Sequence, residues 1–88
     1  MDRLKYDRIG KVTGMQINGK VSGSVEILND RVTYDVISEE QRFHIYSKDR
    51  QAVKDAIFLK EGQYIEISGI IDKDKIKSKG SKIDITRL

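Results

Sequence analysis

The sequence predicts an all-β protein with one short α-helix, folded as a small five-stranded barrel. Most of the chain alternates apolar and polar residues with a period of two, which is typical of half-buried strands. One stretch, residues 49–60, instead spaces its apolar residues with the period of a helix. A glycine at position 69, inside a late strand, favours the bulge or sharp bend that closing a small barrel requires.

The chain has room for one domain only. Its 88 residues contain no cysteine, which excludes disulfides and a Cys/His zinc site. We expect a single domain over residues 1–88, in which residues 1–7 precede the alternating pattern and are candidates for disorder. No apolar run is long enough to cross a membrane, and the N-terminus has no signal-peptide core. We therefore expect no membrane association and a cytoplasmic location.

The first half of the chain is predicted to consist of strands. Residues 9–17 and 20–28 flank Asn18-Gly19, a dipeptide that tolerates positive φ and favours a tight hairpin turn. Segment 9–17 is therefore either the first half of one long, bent strand or part of an extra N-terminal β-hairpin. Two further strands follow, at residues 31–37 and 41–47, with a turn at residues 38–40 between them.

The helical spacing predicts one short helix over residues 49–60, with a cap at each end. Ser47 or Asp49 is expected to cap its start by accepting a free backbone N–H, and Gly62 is expected to end it in a left-handed conformation. Phe58 is expected to point into the core.

The last part of the chain is predicted to form two strands, at residues 63–71 and 82–88, joined by a lysine-rich loop. Strands, one helix and then two strands, in fewer than ninety residues, is the order of the oligonucleotide/oligosaccharide-binding (OB) topology. A small mixed α+β sandwich is the structural alternative.

One segment resembles a known family. The stretch FHIYSKDRQAVKDAIFLKEGQYIEISGIID, residues 43–72, is similar to bacterial and phage single-stranded-DNA-binding (SSB) proteins, and the match is closest over Leu59–Gly69. The resemblance implies an OB fold and a single-stranded DNA ligand. Two departures stand out: the chain has no tryptophan, and it ends in Ile85-Thr86-Arg87-Leu88 rather than in an acidic tail with a terminal Pro-Phe. These departures favour an accessory protein of a phage, plasmid or other mobile element.

Positive charge is placed locally along the chain. The net charge is +3, and residues 73–82 contain five lysines and one aspartate. This segment is either a solubilising hairpin tip or a surface that binds phosphates. In an OB fold, the loop between the last two strands flanks the ligand groove. The lysines predicted to contact the nucleic-acid backbone are Lys73, Lys75, Lys77 and Lys79.

Aromatic groups for base stacking are few. Phe43 and Ile45 are predicted to face the core, so Tyr46 is predicted to point outward as a stacking residue, with Arg42 and His44 on the same face. Tyr64 lies opposite Ile65 in the alternation and is predicted to be exposed. Tyr34 alternates with Val32 and Val36 and is predicted to lie in the core.

The residue patterns favour a binding protein over an enzyme. No Ser-His-Asp order, phosphate-loop motif or metal-ligand spacing appears, so we expect no catalysis, no cofactor and no metal. The leading hypothesis is a homo-oligomeric binder of single-stranded DNA with little sequence preference, acting in DNA replication, recombination or transfer, with replication or recombination proteins as further partners. A protein-interaction adaptor and an RNA-binding OB domain are the alternatives.

Overall fold

The computed structural model describes residues 5–6 and 12–84. It contains six strands and one helix: β1 (Lys5–Tyr6), β2 (Val12–Ile27), β3 (Val32–Ser38), β4 (Gln41–Ser47), α1 (Asp49–Phe58), β5 (Tyr64–Asp72) and β6 (Lys75–Ile83). Among these described residues, no helix is both long and apolar enough to cross a bilayer. The expectation of disorder at residues 1–7 falls mostly outside the described part, and so do residues 85–88 of the strand predicted at residues 82–88.

The strands close into a barrel. β2 pairs antiparallel with both β3 and β5, β3 pairs with β4, and β6 joins β4 to β5. The β4–β6 pairing is parallel, with Ile45 opposite Ile76. A ring of five strands leaves no open sheet edge. The five-stranded barrel with one helix is thereby confirmed, and the short β1 adds an N-terminal hairpin by pairing with the start of β2.

The prediction of a hairpin turn at Asn18-Gly19 was wrong. Both residues lie inside the 16-residue strand β2, where they pair with Glu66 and Ile65 of β5. The role of Gly19 is instead close packing: a Cβ at this position would lie 2.4 Å from the Ile37 carbonyl oxygen of β3. Residues 12–17 are the first half of one long strand, as one of the two alternatives predicted, and through β1 they also take part in an N-terminal hairpin.

The core fills the inside of the ring. Tyr34 is 3 % exposed and belongs to it, as the alternation predicted. Gly69 lies where the β5–β6 register shifts, so a bulge does occur beside it, but the extra residue is Lys79 of β6 rather than a residue of β5. The other buried apolar residues of the core are Ile17, Val21, Val32, Val36, Ile45, Leu59, Ile65, Ile67 and Ile76.

The helix presents an unexpected face to the barrel. Ala52 and Ala56 pack against the core, but between them Asp55 is 2 % exposed. The Asp55 Oδ1 accepts hydrogen bonds from Gln51 Nε2 at 2.9 Å and Ser81 Oγ at 3.4 Å, which partly offset the cost of burying a carboxyl group. The prediction that Phe58 lies in the core was wrong: its side chain is 60 % exposed.

The two ends of the helix also differ from the sequence prediction. Lys48 occupies the N-cap position, and no side chain caps the helix there, so neither Ser47 nor Asp49 acts as the cap. At the other end, the helix stops at Phe58, well before Gly62. The Gln63 side chain satisfies this end, since its Nε2 donates to the Phe58 carbonyl at 3.0 Å and its Oε1 accepts from the Lys60 N–H at 2.8 Å.

The lysine-rich segment is a strand rather than a loop, which corrects the predicted position of its lysines. Asp72 of β5 pairs with Lys75 of β6, so the turn between these strands contains only Lys73 and Asp74. The segment extends as β6 because its alternate residues Ile76 and Ser78 are buried against the core. The predicted last strand at residues 82–88 therefore begins earlier, at Lys75.

Candidate nucleic-acid interface

Strand register gathers several of the predicted residues on one side of the barrel. We call the solvent side of β3, β4 and β6 the outer face. Here Ile37 lies opposite Arg42, Asp35 opposite His44, and Thr33 opposite Tyr46. The parallel β4–β6 pairing places Lys77 beside Tyr46. The outer face thus brings together Arg42, His44, Tyr46, Lys75 and Lys77 of the predicted site.

A carboxylate holds two of these residues. Asp35 Oδ2 accepts a hydrogen bond from Arg42 Nη1 at 2.8 Å, and Asp35 Oδ1 lies 2.8 Å from His44 Nδ1. Partial burial raises the pKa of Asp35, but the hydrogen bonds from His44 and Arg42 lower it by more, so this pKa lies below its ordinary value. The carboxylate therefore stays charged at neutral pH and compensates the Arg42 guanidinium.

Tyr46 faces outward but is not the open stacking platform that the sequence predicted. Its side chain is only 6 % exposed. The Arg31 guanidinium carbon lies 4.7 Å from the centre of its ring, in a cation–π contact. Its hydroxyl donates to Asp72 Oδ2 at 2.5 Å, and this hydrogen bond, with burial, raises the pKa of Tyr46. A base can stack on this ring only after Arg31 moves.

The four predicted lysines separate into three environments. Lys75 and Lys77 alternate with the buried Ile76 and extend to the solvent side of β6, on the outer face. Lys73 occupies the β5–β6 turn with a φ of 58°. Lys79 is exposed at the bulge, where it has no paired residue on β5. The structure therefore places two of the four, Lys75 and Lys77, on the strand surface that also carries Arg42.

Tyr64 belongs to a different groove. It lies half-buried at the start of β5, with the Lys20 ammonium 5.6 Å from its ring centre. A groove of about 680 Å³ runs along it between β2, β3 and β5. A second groove, of about 660 Å³, is lined by Asp35, Arg42 and His44. Tyr64, which was predicted to be exposed, is thus half-buried in a groove separate from the one that Arg42 and His44 line.

Sequence reasoning missed the residues that contact the predicted site residues: Asp35, which bonds Arg42, and Arg31 and Asp72, which contact Tyr46. Asp35 could have been found, because a two-residue turn at Glu39 and Glu40 fixes the β3–β4 register and sets Asp35 opposite His44. Both turn residues have positive φ, as such a hairpin requires. No local pattern indicates the covering of Tyr46, since Arg31 lies just before β3 and Asp72 at the end of β5, both far from Tyr46 in sequence.

The predicted site residues of the outer face are hydrogen-bond donors rather than a cluster of metal ligands. Within residues 5–6 and 12–84, no three Asp, Glu or His side chains are grouped so as to hold a metal ion. The arrangement provides guanidinium, imidazole and ammonium donors along a strand surface, next to one covered aromatic ring. Such donors bind anionic groups spaced along a chain.

The closed five-stranded barrel, with its helix between the third and fourth barrel strands, defines an OB fold. No protein-family model matches the chain, and no curated protein matches it. Among solved structures, the chain is similar to the crystal structure of the mitochondrial single-stranded DNA binding protein Rim1 from S. cerevisiae. The likeness covers 81 % of this chain and 92 % of that chain, with a TM-score of 0.70 and 10 % sequence identity. A likeness at this identity shows a shared OB fold.

Proposed function

We propose that this barrel binds single-stranded DNA on its outer face, with little sequence preference. The observation that carries the proposal is the row of nitrogen side chains that strand register builds on an OB barrel: Arg42 and His44 on β4 next to Lys75 and Lys77 on β6. The fold shared with a single-stranded DNA binding protein supports the same ligand. Backbone phosphates are the groups that these donors recognise, and phosphates carry no base identity.

The lysines contribute chiefly electrostatic binding. Each phosphate that a lysine neutralises releases counterions. For a single strand, each such contact makes the slope of log affinity against log salt concentration more negative by about 0.7. Among the described residues, neither Lys75 nor Lys77 is paired with a carboxylate. They are therefore the cations of the outer face that are available to phosphate without rearrangement.

A titration with labelled oligomers tests the proposal. Fluorescence polarisation with a dT oligomer of about 16 nucleotides, within the site sizes of OB domains, should show binding at low salt. K75Q and K77Q should weaken binding and lower the salt slope, whereas K54Q, on the helix, should change neither. No binding by micromolar wild-type protein at low salt would refute the proposal. Matched RNA oligomers in competition separate a DNA-binding protein from an RNA-binding one.

The finer parts of the proposal concern assembly and context. With one covered tyrosine on the outer face, a single barrel provides few stacking contacts. We propose a homo-oligomer that joins several weak sites on one strand. We also propose an accessory role for a phage, plasmid or other mobile element, in the cytoplasm, beside replication or recombination proteins. Light scattering with and without the dT oligomer measures the assembly.

A second candidate function, a protein-interaction adaptor, is favoured by the helix. Val53, Ile57 and Phe58 are each 60 % exposed or more on its outward side. Large exposed apolar groups that lie together often mark a protein contact. Replacing Ile57 and Phe58 with serine separates the two functions: loss of a nuclease-resistant partner with unchanged dT binding supports the adaptor role, and loss of dT binding alone contradicts it.

A further inference from the structure

We propose that Asp35 is an internal competitor for the phosphate groups of the ligand, and that it limits the affinity of the outer face. The inference rests on the proposed function and concerns its regulation. Asp35 gives one carboxylate oxygen to Arg42 and the other to His44, each at 2.8 Å. A phosphate group offers the same pair of anionic acceptor oxygens to these donors.

The position of Asp35 is set by the barrel rather than by a flexible loop. It lies on β3, directly opposite His44 and one diagonal step from Arg42. Neighbouring strands lie roughly 4.8 Å apart, so both donors reach the carboxylate from regular strand positions. The contact therefore belongs to the folded barrel and re-forms whenever no ligand is bound.

The cluster remains open to solvent. The side chain of Asp35 is 30 % exposed, that of Arg42 is 50 % exposed and that of His44 is 55 % exposed. A phosphate can approach the two donors, but it meets the negative charge of Asp35 at the same place. It must either displace the carboxylate or bind beside it against repulsion, and each course weakens binding.

Competition from Asp35 makes the outer face favour a nucleic-acid strand over isolated anions. Because the Arg42 charge is compensated internally, isolated anions gain little from it, and a strand gains only when several phosphates and the unpaired lysines act together. Removing the carboxylate should therefore strengthen binding and make it depend more steeply on salt. A residue that merely orients Arg42 and His44 would produce the opposite result, because its removal would lower affinity.

The substitution Asp35→Asn tests this directly, since asparagine keeps the size and removes the charge. The control is Glu26→Gln, which removes one charge from the same groove at an exposed residue that has no ion pair among the described residues. Exposed ion pairs are weak, so we expect D35N to tighten dT binding by about two- to fivefold. E26Q should change it by less than about twofold, because Glu26 pairs with neither Arg42 nor His44 and its removal releases no donor.

A second background isolates the mechanism. In R42Q/H44Q protein, D35N has no donors to release, so its gain should shrink to that of E26Q. Two results overturn the inference: D35N tightens dT binding as much in the R42Q/H44Q protein as in wild type, or D35N protein binds dT no more tightly than wild type. In either case, binding by the wild-type protein still supports the proposed function. Absence of binding by every variant overturns the proposed function instead. Urea unfolding of each variant verifies that the compared proteins are folded.

Discussion

Gly19 is the position at which a single methyl group should cost the barrel most. The strand β2 is held between β3 and β5 here, and the Cβ of an alanine would lie 2.4 Å from the Ile37 carbonyl oxygen and 2.6 Å from Val36 Cγ1. Cβ atoms essentially never come closer than 3.0 Å, so the carbonyl contact is short by about 0.6 Å. The carbonyl is main chain and cannot rotate away, so β3 itself must move.

Gly80 provides the matched control. It lies on β6, its Cβ position has no neighbour within 4 Å, and its φ is not in the left-handed region. Overpacking of this kind costs about 1–3 kcal/mol, so we expect Gly19→Ala to lower the free energy of unfolding by at least about 2 kcal/mol, because the clash is with main chain. Gly80→Ala should leave it unchanged or raise it by about 0.4–1 kcal/mol, since alanine restricts the unfolded chain.

Urea unfolding followed by circular dichroism measures both variants, with the melting temperature of G19A expected to fall by about 8–16 °C. The slope of free energy against urea should stay that of wild type, because the surface exposed on unfolding is the same. Equal stability of G19A and G80A would refute the reasoning, since it would show that β2 and β3 are not packed as closely as the structure describes.

Two further predictions concern tyrosine hydroxyls. Burial, with the charge of Asp55 near it, raises the pKa of Tyr34 above its ordinary value of 10.0. Above pH 10 the folded state therefore keeps a proton that the unfolded state loses, and the free energy of unfolding should fall by about 1.4 kcal/mol per pH unit. Urea unfolding between pH 8 and 11 should show a smaller fall for the Y34F variant than for wild type. Equal falls in the two proteins would contradict the assignment. The hydrogen bond to Asp72 raises the pKa of Tyr46, so Asp72→Asn should lower that pKa. The ultraviolet absorbance of tyrosinate, followed against pH in the D72N protein, measures the change. A titration unchanged from wild type would show that this contact does not persist.

Short-range patterns were enough to predict most of the barrel. The β3–β4 hairpin follows from alternation on both sides of a two-residue turn, and Tyr34 falls in the core because it shares its face with Val32 and Val36. Such features depend on neighbours within a few residues. Gly69 was found for the same reason, since a glycine inside an alternating strand has few other roles.

The errors arose where distant strands decide the outcome. Asn18-Gly19 favours a turn in isolation, but β5 pairs with both residues from nearly fifty positions away and keeps them extended. Phe58 follows the apolar spacing of the helix, yet Asp55 faces the barrel because Ser81 of β6 bonds it. Tyr46 was assigned to the correct face, but its covering by Arg31 and Asp72 depends on contacts that no local pattern reports.

The parallel pairing of β4 with β6 has a consequence for how the chain reaches its fold. Ile45 of β4 can pair with Ile76 of β6 only after the helix and β5, which lie between them in the chain, have been synthesised. The second edge of β2 likewise stays unpaired until β5 has been synthesised. During synthesis, the ring therefore stays open until β6 has left the ribosome, with unpaired edges on β4 and β5. Contacts between such distant residues are typical of domains that fold in milliseconds to seconds rather than microseconds. In that interval the nascent chain is most exposed to pairing with other chains.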